Sequence, residues 1–188
     1  ILALLPFIYA VAGSFATESE LATRSFFIWP ETFSLRAYES IFTSSAFVRA
    51  IITTVLVTAA GTAIQLLLTA SMAYPLSKSN LPGRRIMMSL IVFTLVFSGG
   101  MIPTFLVVKD LGLLDTYWAL ILPAAINPFS LIIIKNFFQQ LPAELEESAK
   151  IDGANELQTL WSVILPLSKP VLATFALFYA VGIWNDFM

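Results

Sequence analysis

Long charge-free stretches alternate with short charged connections along this chain. Three of them, 50–77, 86–108 and 116–134, have 28, 23 and 19 residues, and the last of them gives a predicted span over 116–135. A helix that crosses the apolar core of a bilayer needs about 20 apolar residues, so we predict a complete membrane span in each. A fourth stretch, of 16 residues, is long enough if Lys169 extends its ammonium to the interface, which predicts a further span over 169–188. The pattern predicts an all-α fold of polytopic membrane helices.

The first segment, 1–16, is uncharged but too short for a complete span. We interpret it as the end of a first membrane helix, and we expect the chain to be a fragment of a longer protein. An external segment over 17–49 follows. Within it, Ser34 could cap a short helix with an apolar face. That face suits either the outer membrane surface or an external partner.

Composition supports a membrane protein and removes several kinds of chemistry. Hydrophobic residues make up 58% of the chain and charged residues 12%, and mean hydropathy is +0.85. An average soluble domain carries about 25% charged residues. With no His and no Cys, the chain has no thiolate nucleophile, imidazole base, disulfide or Cys/His zinc site. A net charge of −2 gives no broad basic field for nucleic acid.

The connection 78–85 sets the predicted orientation of the spans. It carries Lys78, Arg84 and Arg85 and no acidic residue, and short basic loops stay in the cytoplasm. Counting from it, 109–115 is external and the long connection 136–168 is cytoplasmic.

The inner loop 136–168 carries the pattern of two short amphipathic helices. Pro142 and the glutamates after it suit a helix start, and Gly153 suits a helix end. A second helix is predicted from Asn155, with an apolar stripe formed by Leu157, Leu160, Trp161 and Ile164. The apolar faces could lie on the membrane surface or in a groove on a cytoplasmic protein. Four acids against one base over 141–155 favour the protein, because anionic lipids repel acidic helices.

This loop resembles the EAA loop of binding-protein-dependent ABC importer permeases. The resemblance rests on Glu147-Ser148-Ala149, Gly153 six residues after Glu147, and Leu165-Pro166. Ser148 replaces the first Ala of the family pattern, and Val163 replaces an Ile. The segments 98–103 and 111–116 are similar to the carbohydrate branch of that family, as is Trp184-Asn185, particularly to its polysaccharide and oligosaccharide permeases.

The resemblance implies a type I ABC importer transmembrane domain in the inner membrane of a bacterium. A complete domain has six helices, so this chain would lack part of the first helix and the last one. The implied partners are a homologous second permease subunit, two cytoplasmic ABC ATPases and an external solute-binding protein. It also implies contact with the ATPase through Glu147, Ser148, Ala149, Asp152, Gly153, Ala154, Leu165 and Pro166.

ATP chemistry is expected on another subunit. The chain has no G-x-x-x-x-G-K-[S/T] phosphate loop, so we expect no cofactor here and ATP with Mg²⁺ on the partner ATPase. The predicted function is that of a permease for a carbohydrate, in particular an oligosaccharide. We do not predict an enzyme, because His and Cys are missing and the carboxylates lie outside the complete spans.

Polar residues inside membrane segments are candidates for a substrate path, since amides and carboxylates are costly toward lipid. Sugars are bound by such groups together with aromatic side chains. The candidates are Gln65, Asn127, Tyr179, Trp184, Asn185 and Asp186. The same residue types also form hydrogen bonds between helices, and that alternative stays open for each of them.

An ion-coupled secondary transporter is the alternative function. Such transporters place charges or broken helices near the membrane midplane. No acid or base falls within the three long charge-free stretches, and the acidic inner loop has no role in such a protein. Both observations favour the ABC permease.

Overall fold

The computed structural model describes residues 4–186, which form helices and connecting segments without a β-strand among them. The predicted all-α fold is confirmed. The chain divides into two units, 1–53 and 54–188. The helices are α1 (Leu5–Ser14), α2 (Glu18–Thr23), α3 (Arg36–Thr43), α4 (Ser45–Ser77), α5 (Arg84–Val96), α6 (Met101–Asp110), α7 (Trp118–Ile121), α8 (Pro128–Gln140), α9 (Ala143–Ile151), α10 (Glu156–Thr159), a π-helical turn (Leu160–Ile164), α11 (Leu165–Leu167) and α12 (Lys169–Asp186).

In the first unit, a buried carboxylate organises the segment after α1. Glu20 accepts hydrogen bonds from the backbone N–H of Glu31 at 2.9 Å and of Thr32 at 3.4 Å, and Arg24 pairs with it at 2.9 Å. The Glu31 N–H is the main reason that the pKa of Glu20 lies below its usual value. The amphipathic helix predicted after Ser34 forms as α3, but Leu35 occupies the N-cap position.

In the second unit, α4, α8 and α12 pack around one apolar core. Its fully buried members include Ala73 and Leu76 from α4, Ile134 from α8 and Ile164 from the π-helical turn. The core also takes in Phe175 and Tyr179 from α12. The inner loop therefore packs directly into the helix bundle.

One helix among the described residues, α4 with 33 residues, is long and apolar enough to cross a membrane by itself. The other predicted spans are interrupted. Segment 86–108 is divided into α5 and α6, which meet at 119°. Gly100 stands at the break with a φ of 82°, a conformation that suits glycine because it has no Cβ. The pair α5 and α6 meets the length criterion only if counted as one broken span.

Proline divides the third predicted span. Within 116–135 the structure has the four-residue α7, an irregular connection containing Pro123, and then α8, which begins at Pro128. Proline has no backbone N–H to donate to the preceding turn, so this charge-free run is not one continuous helix. The last predicted span, 169–188, contains α12, which begins at Lys169 and is bent by 82° from the helical segment before it; the two meet the span criterion only if counted as one broken span.

Candidate functional site

The inner loop folds as a helical hairpin, here called the loop hairpin, made of α9, the turn 152–155 and α10. Gly153 has a φ of 82°. Its N–H donates to the Lys150 carbonyl at 3.0 Å, and the Ala154 N–H donates to the Ala149 carbonyl at 2.9 Å. These two bonds form a Schellman motif, which satisfies the last carbonyls of α9. The predicted helix end at Gly153 is confirmed.

Asn155 starts the second arm of the hairpin. Its side-chain carbonyl accepts from the Gln158 N–H at 2.9 Å, and the Gln158 side chain accepts from the Asn155 N–H at 2.9 Å. This reciprocal capping box fixes where α10 begins. The predicted start near Asn155 is confirmed. Two caps therefore hold the sharp reversal between α9 and α10.

The apolar stripe predicted for the second arm divides into two sets. Leu160 and Ile164 are buried in the bundle core, whereas Leu157 and Trp161 are 65% and 52% exposed. The π-helical turn over Leu160–Ile164 has more residues per turn than an α-helix, which changes the direction of the side chains. The prediction of one continuous stripe was therefore wrong.

A polar network attaches the loop hairpin to the end of α4. The Tyr74 hydroxyl donates to Glu156 Oε2 at 2.8 Å, and Lys150 Nζ lies 2.7 Å from Glu156 Oε1. Lys78 forms an ion pair with Glu146, and its Nζ lies 4.3 Å from the centre of the Tyr74 ring. Both arms of the hairpin are thus attached to one end of one long helix.

The electrostatics of the network follow from these contacts. The hydrogen bond from Lys150, and next the one from Tyr74, hold the pKa of Glu156 below its usual value. Burial is the main cause that lowers the pKa of Lys78. Sequence reasoning missed the pairing of Tyr74 with Glu156, because 82 residues separate them and neither stands in the EAA pattern. The one feature in the sequence that places a polar group near this end of α4 is Tyr74, which stands one helical turn before Lys78.

The residues predicted to contact an ATPase divide by exposure. The exposed residues of this set lie on the outer side of the hairpin and of α11. The other residues of the set are buried or half-buried against the rest of the second unit. The exposed residues are Glu147, Ser148, Asp152, Gly153 and Pro166; Ala149 is buried, and Ala154 and Leu165 are half-buried. Large exposed apolar side chains lie in the same segment, with Ile151 at 87% exposure in addition to Leu157 and Trp161. Exposed apolar groups beside carboxylates are typical of a protein-binding surface.

A second candidate site is a cavity of about 440 Å³ between α4, α8 and α12. It brings together four of the predicted path residues, Gln65, Asn127, Tyr179 and Asp186. Gln65 is only 4% exposed although it carries an amide. Aromatic rings complete the wall, contributed by Phe129, Phe175 and Phe178. The cavity thus combines amides, a carboxylate and aromatic faces.

Two of the cavity residues already have partners. Asn127 caps α8, since its side-chain oxygen accepts from the Ser130 N–H at 3.1 Å. The Tyr179 hydroxyl lies 3.2 Å from Thr69 Oγ1 on α4. Asn127 therefore has a structural role besides any contact with a substrate.

Trp184 and Asn185 are not brought to this cavity. They belong to α12, but the lining residues of that helix near its end are Gly182, Ile183 and Asp186. Asn185 is exposed and Trp184 is half-buried. Their place on a substrate path stays a prediction that this cavity does not support.

Comparison with known proteins extends these observations. The chain is 66% identical to protein LplC of Bacillus subtilis over 184 residues, which cover 98% of the chain and 62% of LplC. It is 55% identical to the polygalacturonan/rhamnogalacturonan transport system permease protein YtcP of the same organism, covering 100% of the chain and 66% of YtcP. The chain thus spans 62% of the length of LplC and 66% of the length of YtcP.

A solved structure has the same fold. A bacterial ABC transporter involved in the import of the acidic polysaccharide alginate matches with a TM-score of 0.93 and 38% sequence identity, over 98% of this chain and 66% of that one. Residues 65–188 match the family described as binding-protein-dependent transport system inner membrane component. That match includes the loop hairpin and all the lining residues of the cavity. The chain belongs to this family of transport-system inner membrane components.

Proposed function

We propose that the chain is the membrane-spanning permease part of an ATP-driven ABC importer for a carbohydrate, in the cytoplasmic membrane of a bacterium. The observation that carries the proposal is the loop hairpin. It exposes Glu147 beside the apolar Ile151, Leu157 and Trp161, and it is attached to α4 through Tyr74. A partner that binds the exposed side can therefore move a membrane helix.

The partners proposed are two cytoplasmic ATPases, a second permease subunit and an external solute-binding protein. ATP and Mg²⁺ would bind the ATPases, and this subunit would need no cofactor. Glu147 has an exposed carboxylate one turn before the bend, where it can meet a basic residue of the ATPase. A charge-assisted contact of that kind contributes roughly 1.5–3 kcal/mol.

The substrate class proposed is a carbohydrate, in accordance with the names of YtcP, a polygalacturonan/rhamnogalacturonan permease, and of the alginate importer. The cavity supports this class, because hydroxyl groups pair with the amides of Gln65 and Asn127 while sugar rings pack on aromatic faces such as Phe178. The ion-coupled alternative would place an acid or a base inside a membrane span. The long charge-free stretches contain neither, so the sequence does not support that alternative.

A charge reversal on the exposed side of α9 tests the proposal. Glu147→Lys should abolish sugar uptake and prevent co-purification of the ATPase, while the chain still inserts into the membrane. Glu144→Lys makes the same charge change at another exposed glutamate of α9 and should leave both readouts intact. Normal uptake with Glu147→Lys would contradict the coupling role. Identification of the sugar that co-purifies with the external binding protein would then define the substrate.

A further inference from the structure

A groove of about 1110 Å³ runs along α5 on the second unit, outside both candidate sites. Three cations line it, namely Arg84, Arg85 and Lys135. No carboxylate belongs to its described lining. The rest of the wall is mainly apolar, and it includes Ile86, Val92, Phe93, Val96 and Phe97.

Lys135 gives the groove its chemical character. The side chain is only 7% exposed, and in the described part of the chain no carboxylate lies within ion-pair distance of its ammonium. Arg84 lies near enough to repel it electrostatically. The Arg84 guanidinium itself donates through Nε to the Leu76 carbonyl at 2.9 Å. An anion in the groove would stabilise this ammonium, because burying an unpaired charge beside a like charge is costly.

The apolar wall has the length of one membrane leaflet. It extends along α5 from Ile86 to Phe97, 11 residues apart, which is about 17 Å at the rise of an α-helix. Half of the hydrocarbon core is about 15 Å thick. The side chains along it are largely exposed, at 69% for Ile86 and 75% for Val96. The cations lie at the end of α5 that adjoins the basic connection 78–85, which we predict to be cytoplasmic.

We propose that this groove binds one anionic phospholipid of the cytoplasmic leaflet. The headgroup phosphate lies against Lys135 and Arg85, and an acyl chain lies along Val92 and Val96. Basic pockets between membrane helices on the cytoplasmic side suit such lipids, since that leaflet is enriched in negative charge. Neither an anion without an acyl chain nor a neutral lipid uses both parts of the groove.

The test measures lipid retention by the full chain purified with its associated subunits. The protein is equilibrated with vesicles of equal parts phosphatidylglycerol and phosphatidylcholine, and the retained lipids are counted by native mass spectrometry. The wild type should retain phosphatidylglycerol at least about tenfold over phosphatidylcholine. Each cation contributes about fivefold, equivalent to about 1 kcal/mol, so Arg85→Gln and Lys135→Gln should each lower the preference by about that factor.

Matched controls keep the result interpretable. Lys109→Gln removes one exposed cation that does not line the groove and should leave the preference unchanged. Arg85 is exposed, so Arg85→Gln tests the groove even if the change at buried Lys135 prevents folding. Excess inorganic phosphate should not displace the lipid.

Three results would overturn the proposal. Equal retention of the two lipids by the wild type would mean that another part of the protein or a protein partner covers the groove. An equal effect of Arg85→Gln and Lys109→Gln would mean unspecific attraction to anionic lipid. Displacement by phosphate would remove the role of the apolar wall. Sugar and nucleotide are absent from the assay, so its failure leaves the transport function proposed above untouched.

Discussion

The hydroxyl of Tyr74 is expected to hold the loop hairpin against α4. Tyr74→Phe removes that one atom and keeps the ring, which is 5% exposed and lies under the Lys78 ammonium. A hydrogen bond to a charged group contributes about 1.5–3 kcal/mol. The Glu156 side chain is 59% exposed, and water can replace the lost donor, so we expect the lower limit, about 1.5 kcal/mol. That corresponds to about a tenfold larger population of detached hairpin.

Hydrogen exchange followed by mass spectrometry measures this population. Amides of α10 and of the π-helical turn should exchange about tenfold faster in Tyr74→Phe, because exchange there requires local opening. Tyr179→Phe makes the same chemical change at a hydroxyl that lies 3.2 Å from Thr69 Oγ1 and has no bond to the hairpin, and it serves as the control. Unchanged exchange in Tyr74→Phe, or an equal increase in the control, would refute the role given to this bond.

Four further outcomes are expected from the same structure. Gly153→Val should abolish sugar uptake, since a β-branched side chain at a φ of 82° costs about 1 kcal/mol or more. Gly153→Asn should retain most of the uptake, because Asn tolerates this conformation better than Val. Co-purification of the ATPase is the second readout. Asn127→Leu should lower transport without loss of assembly, and Asn127→Ser, which can still cap α8, should reveal how much of the effect is structural. A single cysteine at Ser79 should be shielded from an impermeant thiol reagent in intact cells while one at Ser19 reacts, and labelling at Ser79 would invert the predicted topology. Because the pKa of Glu156 is lowered in the folded protein, its stabilising effect is present at neutral pH and is lost as pH falls below about 4, so the difference in melting temperature between wild type and Glu156→Gln should shrink in acid.

The local features of the loop hairpin could be predicted from the sequence. Gly153 and Asn155 each carry their own signal, a helix end and a helix start, and both occur in the structure where the pattern places them. The family was predicted from the resemblance of Glu147, Gly153 and Leu165-Pro166 to the EAA loop, and the family match over residues 65–188 confirms it. Such signals depend on a few neighbouring residues, so tertiary packing does not alter them.

Features that depend on distant or subtle interactions were not predictable. The length of a charge-free run says nothing about continuity, and the runs 86–108 and 116–135 are divided at Gly100 and at Pro123. Four path candidates converge on one cavity, but Asn185 does not, because its position on α12 depends on how that helix is rotated in the bundle. The bond between Tyr74 and Glu156 requires the fold itself.

The π-helical turn over Leu160–Ile164 has a mechanical consequence. It turns Leu160 and Ile164 into the bundle while Leu157 and Trp161 stay outside, so one short segment has two apolar faces that point in different directions. A force applied to the outer face by a bound protein passes to the inner face without an intervening flexible joint. The segment can therefore transmit a movement of the bound protein directly to the helix bundle. Deletion of one residue from the π-helical turn should rotate one apolar face out of contact, either with the bundle or with the bound protein, while the other face keeps its contact.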